Sequence, residues 1–200
     1  MRALWYRYDG AMTDAVRTTP PALKEWALTC RLLLQGRQTI LLRKGGIDEK
    51  GFWVEDPGFY LFPTYLHQHR ARVREEFHGD FDRAIAQRPA ETILRIDAFA
   101  EVVEAAEVHD ARALATLDDL HPYSKEHLQE RLTFRPKKPP VVIVVRARPL
   151  VEPIEIVMDD AYAGCLSWLD LDVVPAELGA AIVPEEDLAV VAKRIRALAV

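Results

Sequence analysis

Apolar and polar positions divide the chain into strand-like and helix-like stretches, and the clearest is PPVVIVVRARPLVEPIEIV at 139–157. Its near-continuous apolar character suits a central strand buried on both faces, broken near Pro149 and resumed around Ile154. In ETILRIDAFAEVVEAAEVHD, the even positions Leu94, Ile96, Ala98, Ala100, Val102, Ala106 and Val108 alternate with a more polar odd set. That period of two predicts a second long strand, bulged along its length. QTILLRK at 38–44 is another strand. Gln35-Gly36-Arg37 before it reads as a tight turn, so a hairpin pairing Trp26–Leu34 with Thr39–Lys44 is expected, although ALKEWALTCRLLL fits helix and strand equally. FWVEDPGFYLFPT reads as a short strand, a Pro57-Gly58 turn and an aromatic strand from Phe59 to Phe62.

Helical spacing appears elsewhere. Thr64 is a candidate N-cap for a helix running through YLHQHRARVREEFHGDFDRAIAQ, with Leu66, Val73, Phe77, Phe81 and Ile85 as its apolar stripe. On such a helix His67, Arg70 and Arg74 share another face, and His69 points away from His67. Asp110 and Ser124 are N-cap candidates for ARALATLDDL and KEHLQERL. EEDLAVVAKRIRALAV reads as an amphipathic helix with acids first and bases late, as its dipole favours.

Pro20-Pro21 interrupts helix, so residues 1–21 read as an irregular lead and the body begins near Ala22. A single domain over 22–172 and a C-terminal linker with an amphipathic helix packed on it over 173–200 complete the division. Long antiparallel-looking strands with helices inserted at intervals predict an α+β fold: a mainly antiparallel sheet or partly open barrel with peripheral helices.

With 200 residues, half of them apolar, the chain has enough material for a well-buried core. The formal net charge of −5 excludes a global basic field for nucleic acid. The charge is uneven, however. Arg31, Arg37, Arg43 and Lys44 lie in a stretch without acids, as do Arg70, Arg72 and Arg74. A local basic face on an acidic body follows. No apolar run reaches bilayer length, and charges stand where a signal peptide needs its apolar core, so a cytoplasmic protein without membrane association is expected. Cys30 and Cys165 fit no Cys-x-x-Cys pattern and read as reduced, buried thiols.

Three clusters carry chemical potential. In Arg43-Lys44-Gly45-Gly46, glycines allow close backbone approach to an anion and the bases add charge-assisted hydrogen bonds; a solvated strand end is the plain alternative. In Pro63-Thr64-Tyr65-Leu66-His67-Gln68-His69, a helix start offers N–H groups and a positive dipole, and imidazoles can move protons. Surface histidines on a capped helix would look the same. Metal chelation by His67 and His69 would need an extended backbone, and no residue is assigned to a metal. The carboxylates Asp48, Glu49, Glu55 and Asp56, with Lys44 and Lys50, contain the ingredients of a metal-dependent nuclease, and equally those of any charged loop.

Read together, Glu25-Trp26, Gly36, Arg43-Lys44-Gly45-Gly46-Ile47, Glu49, Phe62-Pro63-Thr64, His67-Gln68, Arg131, Arg146, Tyr162, Gly164-Cys165 and Ser167-Trp168 resemble a bacterial family catalogued as domain of unknown function 1802. The resemblance spans about Ala22 to Leu171. One departure is Tyr123, where the family more often has tryptophan. No catalytic residues transfer from it; its members' association with restriction-endonuclease-like domains implies a part in restriction or DNA defence. Tyr162, Cys165 and Trp168 stand at spacing three, which on a helix is a packing face. Ser167 has no general base adjacent in sequence.

The favoured reading is a nucleic-acid binding module. Arg43, Lys44, Gly45 and Gly46 would contact phosphates, while Thr64, His67, Gln68 and Arg70 would read a base or a second phosphate, with a flipped base against Tyr60 or Tyr65. The competing readings are a phosphodiesterase or small-phosphate hydrolase using Glu49, Lys44 and His67, the former with a divalent ion as its cofactor, and a protein-interaction subunit. Otherwise no cofactor is implied, and the oligomeric state is left open.

Overall fold

In the computed structural model, residues 19–44, 52, 54–162, 164 and 166–198 are described. The irregular lead expected at 1–21 lies almost wholly outside them. Among the described residues, the strands are β1 (Ala22–Trp26), β2 (Ile40–Arg43), β3 (Gly58–Thr64), β4 (Ile93–Glu107), β5 (Val141–Val157) and β6 (Trp168–Leu169), in one open mixed sheet of order β2-β5-β4-β3-β1-β6. Only the β1–β3 pair is parallel; the other pairs are antiparallel. With α1 (Ala27–Leu34), α2 (His78–Ala86), α3 (Ala111–Ala115), α4 (Lys125–Thr133) and α5 (Glu185–Arg196), this is an α+β fold with a mainly antiparallel sheet, as the sequence predicts.

β2 and β1 stand far apart in the strand order, yet Arg43 of β2 donates to the Lys24 carbonyl of β1 at 2.9 Å. The sheet is therefore rolled, and one apolar cluster fills its concave face. Leu23, Leu41, Phe59, Leu61, Ala98, Ala100, Ile143 and Val145 come from five different strands and meet there. On the opposite face Ile40, Leu42, Val142 and Val144 pack under α3, α4 and α5, from which Leu114, Leu128, Leu188, Val191 and Ile195 are buried. Each fully buried leucine here contributes about 1.5–3 kcal/mol.

The expected hairpin is replaced by a helix. Residues 27–34 form α1, and β2 pairs with β5 instead. Ala, Leu and Arg dominate this segment, and they lose little on entering a helix. The Gln35-Gly36-Arg37 turn is the helix's C-terminal cap: Gly36 N donates to Leu33 O at 3.1 Å and Arg37 N to Leu32 O at 3.0 Å, with Gly36 at φ 67°. This double bond is the Schellman arrangement, in which glycine at positive φ satisfies carbonyls that the helix leaves open. Replacing Gly36 by Ala is accordingly expected to cost about 1 kcal/mol, read by urea unfolding.

The helix expected from Tyr65 to Gln87 exists only at its end, as α2. Thr64 is the last residue of β3, registered against Trp26. Its Oγ1 accepts from Leu66 N at 3.3 Å in a local turn, and His67 at φ 61° diverts the chain out of helical geometry. The backbone at 72–74 then runs beside 122–124: Ser124 N donates to Arg72 O and Arg74 N to Pro122 O, both at 2.9 Å. From the expected stripe, Val73, Phe77 and Phe81 do pack together, against Leu28 and Leu32 of α1. Leu66 and Ile85 stay exposed.

β4 is long and bulged, with register shifts between Ile96 and Ala98 and between Val102 and Glu104. Each shift turns the chain over, so the even set does not share one face. Leu94 and Ile96 join Tyr60, Phe62 and Leu169; Ala98 and Ala100 enter the concave core; Ala106 and Val108 lie under the helices. In β5, Pro149 pairs with Ala98 but Ile154 with Ile96, so the strand slips register where the sequence pattern breaks. Trp168 lies in β6 rather than on a helix face, with Phe59 edge-on at 5.1 Å. Asp110 and Ser124 cap α3 and α4 as expected, accepting from Arg112 N at 3.0 Å and His127 N at 3.3 Å.

Candidate functional site

The junction where β1 turns into α1, Glu25-Trp26-Ala27-Leu28, organises the polar groups of the molecule. Arg43 reaches it from β2, donating to Glu25 Oε2 at 3.1 Å and to Ser167 Oγ at 3.0 Å, with its guanidinium 5.2 Å from the Phe52 ring centre. Gln68 reaches it from the other side: its Oε1 accepts from Leu28 N at 3.2 Å and its Nε2 donates to Thr64 O at 2.8 Å. The Arg-Lys and Pro-Thr–His-Gln segments thus border the same short stretch of backbone, through Arg43 and Gln68.

Trp26 continues the junction into an aromatic stack. The His127 ring lies parallel to its indole at 5.4 Å, and Tyr123 stands edge-on to it at 5.5 Å. Tyr123 Oη is 3.2 Å from Thr29 Oγ1, and burial pushes the phenol well above its ordinary pKa, so it stays protonated at physiological pH. His121 stacks on Tyr123 at 5.5 Å and accepts from Tyr123 N at 3.2 Å.

Beside this stack lies a cleft of about 530 Å³ lined by Lys44, Arg72, His127, Glu130, Arg131, Thr133 and Phe134. Its construction follows from the sequence. His127, Glu130, Arg131 and Phe134 recur at i, i+3, i+4 and i+7, so they form one stripe along α4 and its C-terminus. Lys44 enters from the end of β2; its ammonium donates to Leu132 O at 3.1 Å and also to Arg131 O, a cation held at the negative end of α4. Arg72 comes from the stretch that runs beside the start of α4, and pairs with Glu130 at 3.4 Å. Arg131 donates to Leu42 O at 2.8 Å, covering a carbonyl of the edge strand β2.

Among the described residues, the cleft holds three permanent cations against one carboxylate, in a chain whose net charge is −5. The electrostatic consequence is visible in its ionisable groups. Burial, reinforced by Arg131, holds the Lys44 ammonium below its ordinary pKa. Burial, then Arg131 and Arg72, brings His127 down to about 4, so its imidazole is neutral at physiological pH. Among the described residues, neither His127 ring nitrogen has a hydrogen-bond partner; Glu130 lies 3.6 Å from Nδ1, beyond hydrogen-bond length. Such a cleft favours an anion, which would relieve the mutual repulsion of its bases.

The sequence candidates fall at several places. Lys44 lines the cleft, and Arg43 lies behind it in the ion pair with Glu25. Gly45, Gly46 and Glu49, with Asp48 and Lys50, lie outside the described residues. Thr64 ends β3 rather than starting a helix, and Gln68, 9% exposed, caps α1. His67 is exposed on its turn, and Arg70 is exposed and paired with Asp82 at 3.1 Å. Asp56 accepts from Gly58 N at 3.0 Å. Tyr60 is buried, its hydroxyl accepting from Ala176 N at 2.9 Å. Cys30 is a buried free thiol raised in pKa by that burial, and Cys165 lies outside the described residues. Among the described residues, no group of three or more His, Cys, Asp or Glu gathers to hold a metal ion, and no helix is long and apolar enough to cross a membrane. Arg72, His127 and Arg131 were not singled out as site residues from the sequence alone. The polar stripe on the Ser124-capped helix is the signal that points to the last two.

Fold and site together define a rolled α+β domain with a basic cleft at its helix-covered edge. In sequence, the family model described as domain of unknown function (DUF1802) matches residues 22–194, and the chain belongs to that family. No curated protein matches. Among solved structures, the ASCH crystal structure from Zymomonas mobilis is similar with a TM-score of 0.42 at 11% identity, covering 70% of this chain and 74% of that one. A mutant form of the same protein is similar with the same TM-score and identity, over 69% of this chain.

Proposed function

We propose that the cleft between β2 and α4 binds the sugar-phosphate backbone of a nucleic acid, DNA in the first instance. The observation that carries this reading is the excess of Lys44, Arg72 and Arg131 over Glu130 in one cleft of an acidic protein. Lys44 uses two of its three N–H donors on helix carbonyls, which leaves one for a phosphate oxygen. Arg72 and Arg131 add forked donors suited to the same oxygens. The rim supports a single-stranded or unpaired segment. Phe134 is half exposed, with the Arg135 guanidinium 5.3 Å from its ring centre, and Lys137 follows nearby. An exposed ring beside bases is the combination on which unpaired bases stack while the backbone is neutralised. The part in restriction or DNA defence implied by the sequence resemblance would rest on this binding step.

The test is fluorescence anisotropy with labelled single- and double-stranded DNA and RNA of the same sequence, across salt concentrations, with and without magnesium. Wild type is expected to bind single strands with a salt slope of about −2, the value for three phosphate contacts. Arg72→Glu is expected to weaken binding about tenfold or more for every sequence and to flatten that slope. Phe134→Ala is expected to weaken single strands by about 1–3 kcal/mol while leaving duplex binding little changed. Both side chains are partly solvated, so neither change should unfold the protein. Cleavage of the strand during the incubation would add nuclease activity to binding. Absence of binding at low salt, or equal affinity in wild type and Arg72→Glu, overturns the reading.

A further inference from the structure

A second cavity, of about 590 Å³, opens on the other side of the β1–α1 junction, between α1, α2 and the sheet. Ala27, next to Trp26, lines it, so the two cavities flank the same turn of backbone. Ala27, Cys30, Arg31 and Leu34 present one face of α1 to it, since they recur at i, i+3, i+4 and i+7. Its floor is part of the concave core, through Cys30, Leu61 and Ala98. Three prolines, Pro63, Pro89 and Pro149, and the ring of Tyr65 complete the walls. These are flat, rigid apolar faces that lose little entropy on contact with another flat surface. The volume falls within the range of small-molecule sites, which are largely apolar with a few convergent polar groups.

The polar group that stands out is Arg31. Its only side-chain hydrogen bond among the described residues goes to a neutral amide, Nη1 to Gln87 Oε1 at 2.6 Å, and its Nε is buried without a partner there. Among the described residues, the carboxylate paired with it, Asp80, is 4.0 Å away and already taken: it accepts from Arg37 and, at 2.7 Å, from Arg83. Three guanidiniums share one acid, and the most distant of them lines the cavity. The other charged groups in the lining, Arg95 and Asp97, pair with each other at 2.9 Å, and Arg95 also pairs with Glu155 at 3.2 Å. Arg31 therefore brings a cation with only a shared, distant carboxylate and with spare donors to a cavity whose walls are largely apolar and flat.

We infer that this cavity is a binding site for a small planar aromatic acid, its ring system between the proline faces and Tyr65 and its acidic group on Arg31. The site is separate from the basic cleft and does not depend on nucleic-acid binding.

Two fluorescent probes test this: 8-anilinonaphthalene-1-sulfonate, which has the rings and the acid, and N-phenyl-1-naphthylamine, which has the same rings without it. The sulfonate is expected to bind wild type at one molecule per chain, and the neutral amine at least tenfold more weakly. Arg31→Met is expected to lower sulfonate affinity at least tenfold and leave the amine unchanged. Gln87→Trp, at an exposed position on the rim, should block both probes, and Arg72→Glu, in the other cleft, should affect neither. Unchanged circular dichroism verifies folding of each variant. Absence of saturable sulfonate binding, equal affinity for the two probes, or equal binding in wild type, Arg31→Met and Gln87→Trp overturns the inference.

Discussion

Replacing Arg43 with Met is expected to lower the free energy of unfolding by about 3–5 kcal/mol, the cost of leaving one partner of a buried pair alone. The side chain is only 15% exposed and that of its partner Glu25 only 5%. Its guanidinium joins β2 to the Lys24 carbonyl, the Glu25 carboxylate and the Ser167 hydroxyl, at the place where the rolled sheet lacks a backbone ladder between its ends. Met preserves the apolar stem against Phe52 but leaves the Glu25 carboxylate with only the Trp26 N–H, at 2.8 Å, among these ties. Neutralising that carboxylate in the same chain, with Glu25→Gln, should therefore recover part of the loss, and the two changes should couple by about 1–3 kcal/mol in a double-mutant cycle. Urea unfolding of the four proteins reads this directly. A single-variant loss under about 1 kcal/mol, or strict additivity, would show that the roll is held by its apolar core alone.

Mild acid is expected to destabilise the protein between about pH 6.5 and pH 4. His121, 1% exposed, and His127, 4% exposed, are both brought down to about 4 in the fold, chiefly by burial. Around His121, Asp118 and Asp119 oppose that shift and Arg74 adds to it; around His127, Arg131 and Arg72 add to it and Glu130 opposes it. An unfolded histidine titrates near 6.5, so in this window the unfolded chain binds more protons than the folded one, and stability falls as pH drops. Above the window these two groups contribute no slope. At its acid end the penalty is on the order of 3 kcal/mol for each histidine. The carboxylates held low by arginines, Asp80, Glu101 and Asp119, begin to lose their contribution only near the acid end of this window, as pH falls below their unfolded values. His127→Phe separates the contributions. It retains an aromatic ring against Trp26 and, among the described residues, gives up only the 3.6 Å approach to Glu130 and no hydrogen bond. The wild-type melting temperature should fall from pH 7 to 4.5 and that of His127→Phe should fall about half as far. A flat wild-type profile would sink this account.

Local patterns carried much of the secondary structure. The β-branched run of β5, the alternation of β4, the aromatic strand β3, the Asp110 and Ser124 caps and the charge order of α5 are all properties of residues within a few positions of one another. Where a local signal had two meanings, it misled. Gly36 at positive φ can close a hairpin or cap a helix, and the choice fell to the helix once Leu28, Leu32 and Leu33 were buried in the core. The bulges of β4 are similar: alternation announces a strand but not the points where its faces exchange, and those were set by which cluster each segment had to cover.

The candidate site divides along the same line. The sequence by itself determined that the chain folds as α+β, that its bases gather locally on an acidic body, and that a strand leads up to Lys44, because propensity, alternation and charge are written in short stretches. Only the tertiary structure decided that Gln68 caps α1, that Arg43 closes the rolled sheet, and that Lys44 meets Arg72, His127 and Arg131 in one cleft. Those groups come from β2, the stretch beside α4 and α4 itself, far apart along the chain. Their meeting depends on the curvature of the sheet and on the burial of its two faces, long-range properties that no local spacing encodes.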